Sequence, residues 1–346
     1  MHFNNMLSAY YPDKSYGGDR LYRDMIEQAQ LCDRLGFRGV SIPEHHLINV
    51  LLVPDPLQMA VKVASVTKRI EIVTSVSVLP LHDMRIFAGQ SIQCDMLCEG
   101  RLILGIGRGA FAYEMARMGV PIETSREKFD ESLNVLMALY AGEEVSWDGK
   151  YYKFAPITVM PRPVAKGRPQ LMMAALVPEA IYASVKRGFH IQTTPLNATF
   201  DAMKQQTGAF HRGKAELGSA GAHLRLALSR VCLAAKDAKH ARRLLEHAHT
   251  YYCRFDNVFT GPGIVNNGDI AILPPTRTIE QLNENLLICT PAEMVDKLGA
   301  YAELGIDDLI VNVNVGVPQE ERLEALERFA NEVMPHFAPR RAVAAQ

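Results

Sequence analysis

The triplet Glu44-His45-His46 places a carboxylate and two imidazoles where a short apolar strand is expected to end. The strand is predicted over Val40–Ile42, and Pro43 ends it because proline cannot continue a hydrogen-bond ladder. A histidine beside a carboxylate can hold or transfer protons near neutral pH. A metal site is disfavoured, since adjacent histidines point to different sides and no H-E-x-x-H spacing is present. We therefore expect His45 and Glu44 to be catalytic, with a capping or buried histidine as the alternative.

A second segment that could do chemistry is Gly105-Ile-Gly107-Arg-Gly-Ala110, which follows another predicted strand. It matches the loose G-x-G-x-x-A pattern of dinucleotide-binding loops, but that pattern normally follows the first strand of its domain and this one follows the fourth. A guanidinium among glycines instead suits an anion, because the backbone can approach closely and arginine binds in a bidentate manner. Arg108 and Gly107 are therefore predicted to lie at a phosphate site.

The stretch Leu176-Val177-Pro178 is a second candidate for binding an anion. A strand here runs into a helix with proline near its first position, so free backbone N–H groups and the positive end of the helix dipole would face a ligand. An ordinary strand-to-helix turn is the alternative. Combined with Arg108, the phosphate interpretation becomes the better one.

These segments need a scaffold that brings the ends of different strands together. Gly36, Gly188 and Gly305 each end a predicted helix and are followed by an apolar residue and a strand. Eight strands, among them Ile70–Val78 and Arg101–Ile106, alternate with amphipathic helices, which predicts parallel βα units. The fold expected is an α/β protein with a single (β/α)8 TIM barrel, whose reacting groups lie at the carboxyl ends of the strands.

Two stretches interrupt this alternation and are predicted to be insertions into one domain that spans residues 1–346. Residues 145–165, after strand 4, are predicted to form a hairpin that turns at Asp148-Gly149. Residues 251–288, after strand 7, contain several glycine and proline pairs and give no simple prediction. Long insertions at the end of a barrel commonly act as lids or pocket walls.

The composition restricts the class of ligand. The 346 residues include 37 Lys plus Arg and 38 Asp plus Glu, a formal net charge of −1, which gives no electrostatic reason to expect nucleic acid or an anionic membrane as a partner. The N-terminus lacks the features of a signal peptide, and no run approaches the roughly 18 apolar residues of a membrane span. Six scattered cysteines suit reduced, buried thiols. We expect a cytoplasmic protein with a small-molecule substrate.

An ordered set of motifs resembles the bacterial luciferase superfamily. Gly100-Arg-Leu-Ile-Leu-Gly-Ile-Gly-Arg-Gly109 is similar to its fourth-strand segment, and Pro43-Glu-His-His46 is similar to its second-strand motif. Val78-Leu-Pro80, the Trp147-x-Gly-x-Tyr151 hairpin and Thr290-Pro-Ala-Glu-Met-Val-Asp-Lys-Leu298 fit the same family in the same order. The resemblance covers most of the chain. It implies a flavin-dependent oxidoreductase on a (β/α)8 barrel that uses FMN reduced elsewhere, and it makes a homodimer the expected assembly.

The resemblance also implies roles for individual residues. His45 falls on the family's catalytic histidine, which supports oxygen chemistry and proton transfer. Arg108 falls on its phosphate-contacting arginine. The family tends to hold a non-proline cis peptide beneath the flavin ring at the end of the third strand, and here that bond would join Ser75 and Val76. Both residues are therefore predicted to contact the cofactor.

The chain departs from the family pattern at two places. Gly107 stands where light-emitting relatives carry a reactive cysteine, so luminescence is not expected. Leu176 and Val177 replace hydroxyl residues that are frequent at the second phosphate site, which leaves mainly backbone donors and predicts loose FMN binding.

Three functions fit these observations. The first is a two-component flavin monooxygenase that takes reduced FMN from a separate flavin reductase and, with molecular oxygen, oxidises a small apolar or carbonyl-containing substrate. The second is a deazaflavin-dependent oxidoreductase of the same superfamily, for which Glu44-His45-His46 is less typical. The third is a non-enzymatic flavin-binding protein, which the presence of His45 disfavours.

Overall fold

A computed structural model describes residues 1–162 and 169–337, and its centre is a closed barrel of eight parallel strands. The barrel strands are β1 (His2–Met6), β2 (Gly39–Ile42), β3 (Glu71–Thr74), β4 (Leu102–Gly107), β5 (Gln170–Ala174), β6 (His190–Thr193), β7 (Leu226–Ala234) and β8 (Asp308–Asn312). Each strand pairs in parallel with the next, and β8 pairs with β1 to close the ring. The predicted (β/α)8 TIM barrel is confirmed.

Helices connect the strands and cover the outside of the barrel. They are α1 (Gly18–Leu35), α2 (Pro56–Val66), α3 (Met84–Leu97), α4 (Ala112–Arg117), α5 (Ile122–Ala141), α6 (Pro178–Lys186), α7 (Phe200–Leu217), α8 (Ala238–Phe259), α9 (Ile279–Asn285), α10 (Pro291–Glu303) and α11 (Gln319–Glu332). Short 3₁₀ turns lie at Lys14–Tyr16, Leu79–Leu81, Gly218–Gly221 and Met334–Phe337. Within the described residues, none of the helices combines the length and the apolar character needed to cross a lipid bilayer.

Local sequence explains where these elements start and stop. Asp55 begins α2, because its carboxylate accepts hydrogen bonds from the backbone N–H groups of the first turn and proline follows it. The three predicted helix-to-strand joints occur at glycines with left-handed φ, which is 87° at Gly36, 80° at Gly188 and 69° at Gly305. The repeated helix-glycine-strand pattern therefore marks true joints of the barrel.

The barrel interior is filled by apolar side chains from six of its strands. These are Met6, Val73, Ile103, Met172, Ala227 and Ile310. A much larger apolar cluster lies between the strands and the helices, so the barrel is packed on both faces. The carboxyl ends of the strands are left as the place where a cavity can open.

The third strand is shorter than the predicted Ile70–Val78. It ends at Thr74, the peptide bond between Ser75 and Val76 is cis as the resemblance implied, and pairing with β4 resumes over Ser77–Val78. The Thr74 hydroxyl donates a hydrogen bond to the Gly105 carbonyl. The segment therefore leaves and rejoins the sheet within a few residues.

The segment after β4 forms the predicted hairpin, with antiparallel strands Val145–Asp148 and Lys153–Ile157. Residues 163–165 of the predicted 145–165 insertion lie outside the described residues. The Glu131 carboxylate on α5 accepts hydrogen bonds from the Trp147 indole N–H and from the backbone N–H groups of residues 150–152. One carboxylate therefore fixes the hairpin turn against α5.

The segment 251–288 after β7 begins inside a helix. Its first nine residues belong to α8, and they are followed by a small hairpin (Val265–Asn266 and Asp269–Ile270), α9 and the strand Leu287–Cys289, which pairs with β7 outside the ring. The start of this segment was not predicted as helix because its aromatic residues obscure the helical period. A lid role for the hairpin stays a prediction.

The small hairpin is attached to the loop that follows β2. The buried Asn49 amide donates to the Asp269 carboxylate (3.1 Å), and its carbonyl oxygen accepts from the Ile270 N–H (3.2 Å). Lys14 forms an ion pair with the other oxygen of Asp269 at 3.1 Å. The hairpin thus lies against the loop that carries the Glu44-His45-His46 triplet.

Candidate active site

A cavity of about 550 Å³ opens at the carboxyl ends of the barrel strands, a size typical of small-molecule and cofactor sites. It is lined by all the residues that the sequence predicted for the site: Glu44, His45, Ser75, Val76, Gly107, Arg108, Leu176 and Val177. They come from the ends of four different strands and the loops that follow them, as expected for a barrel. The structure places these residues together, and their individual roles stay predictions.

His45 is held from two sides. Its Nδ1 lies 2.9 Å from a carboxylate oxygen of the buried Glu114, and its ring stacks on Phe111 with centroids 4.4 Å apart. The second oxygen of Glu114 accepts a hydrogen bond from the His46 backbone N–H at 3.3 Å. Because a carboxylate accepts, we assign the hydrogen to Nδ1. That tautomer leaves Nε2 of His45 with a lone pair for proton transfer.

Glu44 lines the cavity, but both of its oxygens are already engaged. They accept hydrogen bonds from the Val78 backbone N–H (2.7 Å) and lie 3.0 Å from His46 Nε2 and 2.9 Å from His82 Nε2. Burial raises the pKa of Glu44, but the hydrogen bonds from His46, His82 and Val78 outweigh burial and lower the pKa overall. The bond to Glu44 raises the pKa of His46. This arrangement favours a role for Glu44 in joining the loops after β2 and β3.

Replacing Glu44 with glutamine is expected to lower the free energy of unfolding by about 2 to 4 kcal/mol, because it removes a buried charge from a bonded cluster. The pKa of Glu44 is lowered on folding, so its contribution is complete above the ordinary value of 4.5 and is lost as the pH falls through the folded pKa. The pKa of His46 is raised, so its contribution is complete below 6.5 and is lost as the pH rises through the folded pKa.

The destabilisation by Glu44→Gln should therefore be largest between these two ordinary values, 4.5 and 6.5, and smaller on either side. Urea unfolding of the unmodified protein and of the Glu44→Gln variant, at pH values within and on either side of this range, measures the destabilisation. Glu327→Gln, at an exposed position of α11, is the control and should change stability little at any pH. A destabilisation that does not vary with pH would contradict the ion-pair explanation.

Two guanidinium groups line the cavity close to each other. Burial lowers the pKa of the Arg108 guanidinium, and the nearby Arg126 on α5 lowers it further by repulsion. Both side chains line the cavity, and so do Val177 and Ala180 at the start of α6. Val177 precedes α6 and has an apolar side chain, so the first N–H groups of the helix receive no acceptor from that position. Two guanidinium groups and a helix N-terminus are a donor set that fits a phosphate.

The end of β4 is closely packed against side chains of neighbouring segments. A Cβ at Gly107 would lie 2.5 Å from Cγ2 of Val76, and Gly109 has φ +85° with Met115 Sδ 2.5 Å from the position of a Cβ. The presence of glycine in place of cysteine at position 107 thus has a steric reason, because a cysteine side chain would overlap Val76. The close packing of Val76 against β4 shapes this wall of the cavity.

Polar groups that the sequence analysis did not identify lie beside the cis peptide. The Gln192 amide donates to the Thr74 carbonyl at 2.9 Å, and its oxygen accepts from the Ser75 hydroxyl. Thr193 is buried and lines the cavity, and its hydroxyl has no hydrogen-bond partner among the described residues. An unpartnered buried hydroxyl is costly unless a ligand or water engages it. These groups fit the polar edge of a bound cofactor.

Glu114 and Arg126 were also missed by sequence reasoning. Glu114 lies on the short helix α4 and Arg126 on α5, both in the segment after β4. Charged residues are common on helices, and nothing in the local pattern separates these two from their exposed neighbours. Only the position of each helix shows that Arg126 lines the cavity and that Glu114 contacts His45.

Comparison with known proteins agrees with the fold. The curated flavin-dependent trigonelline monooxygenase, oxygenase component, of Acinetobacter baylyi is 28% identical over 328 residues, covering 92% of this chain and 91% of that protein.

Solved structures with the same fold include 3,6-diketocamphane monooxygenase of Pseudomonas putida in complex with FMN (TM-score 0.78, 20% identity, 97% of this chain and 98% of that one). An F420-dependent secondary alcohol dehydrogenase also matches, with a TM-score of 0.77 and 17% identity over 98% of this chain and 99% of that one. The family model for luciferase-like monooxygenases matches residues 4–308, so the chain belongs to the luciferase-like monooxygenase family.

Proposed function

We propose that this protein is the oxygenase component of a two-component system, which receives reduced FMN from a separate flavin reductase and uses molecular oxygen to oxidise a small organic substrate. As a member of its family it is a flavin-dependent monooxygenase. The observation that carries the proposal is that one cavity is lined both by His45, which is paired with the buried Glu114, and by Arg108. The A. baylyi relative is itself named as an oxygenase component.

Each group of residues has a defined task in this proposal. Arg108, Arg126 and the start of α6 bind the cofactor phosphate, and Thr193 and Ser75 face its polar ring edge. Reduced FMN supplies the electrons for oxygen activation. His45 holds or transfers a proton at Nε2, while Glu114 fixes the orientation of its ring.

The substrate side of the cavity is apolar and aromatic. Its wall includes Met6, Leu51, Tyr251, Phe255 and Ile310. Burial raises the pKa of Tyr251 well above its ordinary value, so this phenol is neutral near pH 7. Such a wall favours an uncharged substrate with apolar surface, including one that carries a carbonyl group.

A deazaflavin-dependent reaction is the second candidate, because an F420-dependent dehydrogenase shares the fold. Turnover assays with FMN and with F420 separate the two.

We also propose a homodimer, for which the exposed Ile86 and Leu97 on α3 offer apolar surface, and sedimentation tests it. A cytoplasmic location is proposed from the cysteines, since all six are free and buried.

The purified protein mixed with NADH and FMN is expected to consume NADH no faster than FMN and NADH alone. The reason is that the sequence carries no convincing dinucleotide-binding motif, and in this proposal the flavin and the substrate share the cavity at the barrel mouth. Adding an unrelated flavin reductase should start oxygen uptake and product formation with a panel of ketones, aldehydes and apolar aromatics. Oxygen electrode traces and product analysis measure both. Rapid NADH oxidation without the reductase would overturn the two-component proposal.

A further inference from the structure

The strand ends around the cavity fall into two halves. The residues assigned to the cofactor come from β3, β4, β5 and β6 and the loops after them, and these strands are consecutive in the ring. The other four strands, β7, β8, β1 and β2, with the loops that follow them, contribute Ser229, Asn312, Met6 and His45 to the same cavity. We call this second set the β7–β2 half. It is the part of the cavity left for a substrate.

Two polar side chains of the β7–β2 half point into the barrel. Side chains alternate between the two faces of a strand, so Asn312 points the same way as Ile310, two residues earlier on β8. Ser229 on β7 likewise follows Ala227, and both Ile310 and Ala227 belong to the apolar interior of the barrel. Ser229 pairs in register with Ile310. Ser229 and Asn312 are therefore close neighbours, one layer above the apolar interior.

Asn312 presents a hydrogen-bond donor without an acceptor. Its side chain is buried, with 6% exposed, and its Oδ1 accepts from the backbone N–H of Asn314 at 3.0 Å. That contact fixes the orientation of the amide, because a backbone N–H needs the oxygen, and it leaves the NH₂ group free. Neither this NH₂ nor the Ser229 hydroxyl forms a hydrogen bond within the described part of the chain. A buried donor in that state is costly unless a ligand or water engages it.

The nearby positive charge is already used elsewhere. Arg230 follows Ser229 and, by the same alternation, lies on the outer side of the strand. Its guanidinium donates to the carbonyl oxygens of Leu196 and Ala198 and to the Tyr301 hydroxyl. It therefore holds the loop after β6. The two inward donors are uncharged, so they suit a neutral acceptor better than a carboxylate.

We propose that the Asn312 amide and the Ser229 hydroxyl bind the carbonyl oxygen of a neutral ketone or aldehyde substrate. A carbonyl oxygen has two lone pairs and can accept from both donors. The apolar remainder of the substrate lies against Met6, Tyr251 and Phe255. A hydrocarbon of the same shape leaves both donors unpaired, so the site selects against it. The inference deepens the proposed function and rests on it, because it takes the flavin to occupy the other half of the cavity.

Calorimetric titration of the protein saturated with oxidised FMN tests the proposal without turnover. The probes are three pairs in which a CH₂ group replaces the carbonyl oxygen: cyclohexanone and methylenecyclohexane, acetophenone and α-methylstyrene, and cyclododecanone and methylenecyclododecane. A pocket without donors would favour the alkene, which is the less hydrated partner. We expect the ketone to bind about 10-fold more tightly in at least one pair. Equal or weaker ketone binding in every pair, or no binding of any probe, would overturn the proposal.

Two variants connect this preference to the named donors. Asn312→Asp keeps an oxygen for the Asn314 N–H and replaces the NH₂ donor with a second oxygen. Ser229→Ala removes the hydroxyl. Each should weaken ketone binding about 5-fold or more and leave the affinities for the alkene and for FMN unchanged. Asn331→Asp on α11 and Ser65→Ala on α2, both at exposed positions, are the matched controls and should change none of these affinities.

The outcomes separate this inference from the proposed function. If FMN affinity falls in these variants while the ketone preference stays, the two donors bind the flavin and the inference is wrong. If the ketone preference survives both variants with FMN binding intact, the inference is also wrong and the proposed function stands. If the unmodified protein binds no FMN, or forms no product when a flavin reductase supplies reduced FMN, the proposed function is wrong as well.

Discussion

Replacing His45 with alanine is expected to lower product formation by about 10²- to 10⁴-fold in the presence of a flavin reductase, with FMN affinity nearly unchanged. The expectation follows from geometry, because the His45 ring is fixed by Glu114 and Phe111 at the cavity wall. A proton donor or acceptor there affects rate more than binding. Oxygen uptake should continue and end as hydrogen peroxide, which a peroxide assay measures alongside product.

Glu114→Gln is the informative companion to this variant. Glutamine keeps the size of the side chain but removes the charge that faces Nδ1, so the imidazole can adopt the other tautomer. We expect FMN affinity to be retained and product formation to fall, although less than in His45→Ala. A product yield equal to that of the unmodified protein in His45→Ala would remove this residue from the mechanism.

Replacing Arg108 with alanine is expected to weaken FMN binding by about 10- to 100-fold and to leave riboflavin binding unchanged. Hydrogen bonds to a charged group contribute about 1.5 to 3 kcal/mol, and riboflavin has no phosphate to engage them. Titrating both flavins by fluorescence or calorimetry measures the difference. Arg34→Ala, at an exposed position on α1, controls for the loss of one positive charge.

The pair of titrations also separates two explanations. If the affinities of FMN and riboflavin fall equally in Arg108→Ala, the arginine shapes the pocket and does not bind the phosphate. If neither falls, the anion site lies elsewhere, and Arg126 becomes the next residue to replace. Arg126→Ala is expected to act in the same direction as Arg108→Ala, since both guanidinium groups line the cavity close to each other.

The features that could be predicted from the sequence are those encoded by neighbours along the chain. Helix-ending glycines such as Gly36 can be recognised in the sequence, because glycine readily takes the left-handed conformation that ends a helix. Apolar strands that end in polar groups indicate where the mouth of a barrel lies. His45 and Arg108 were found because each directly follows such a strand. The cis bond after Ser75 was expected from family resemblance alone, since nothing in the local residue types requires it.

The features that were missed depend on contacts distant in the chain. Glu114 meets His45 across 69 positions, and Gln192 meets Thr74 across 118. A sequence pattern read one segment at a time contains no information on such pairs. For Glu44, the sequence suggested proton transfer, but the structure surrounds its carboxylate with donors from His46, His82 and Val78.

The contact between Gly107 and Val76 makes these two positions depend on each other. Valine is branched at Cβ and its side chain has little rotational freedom, so a new group at position 107 would force Val76 to shift. A larger residue at position 107 is therefore expected to be tolerated better when a smaller residue stands at position 76, and the effects of two such substitutions would not be additive.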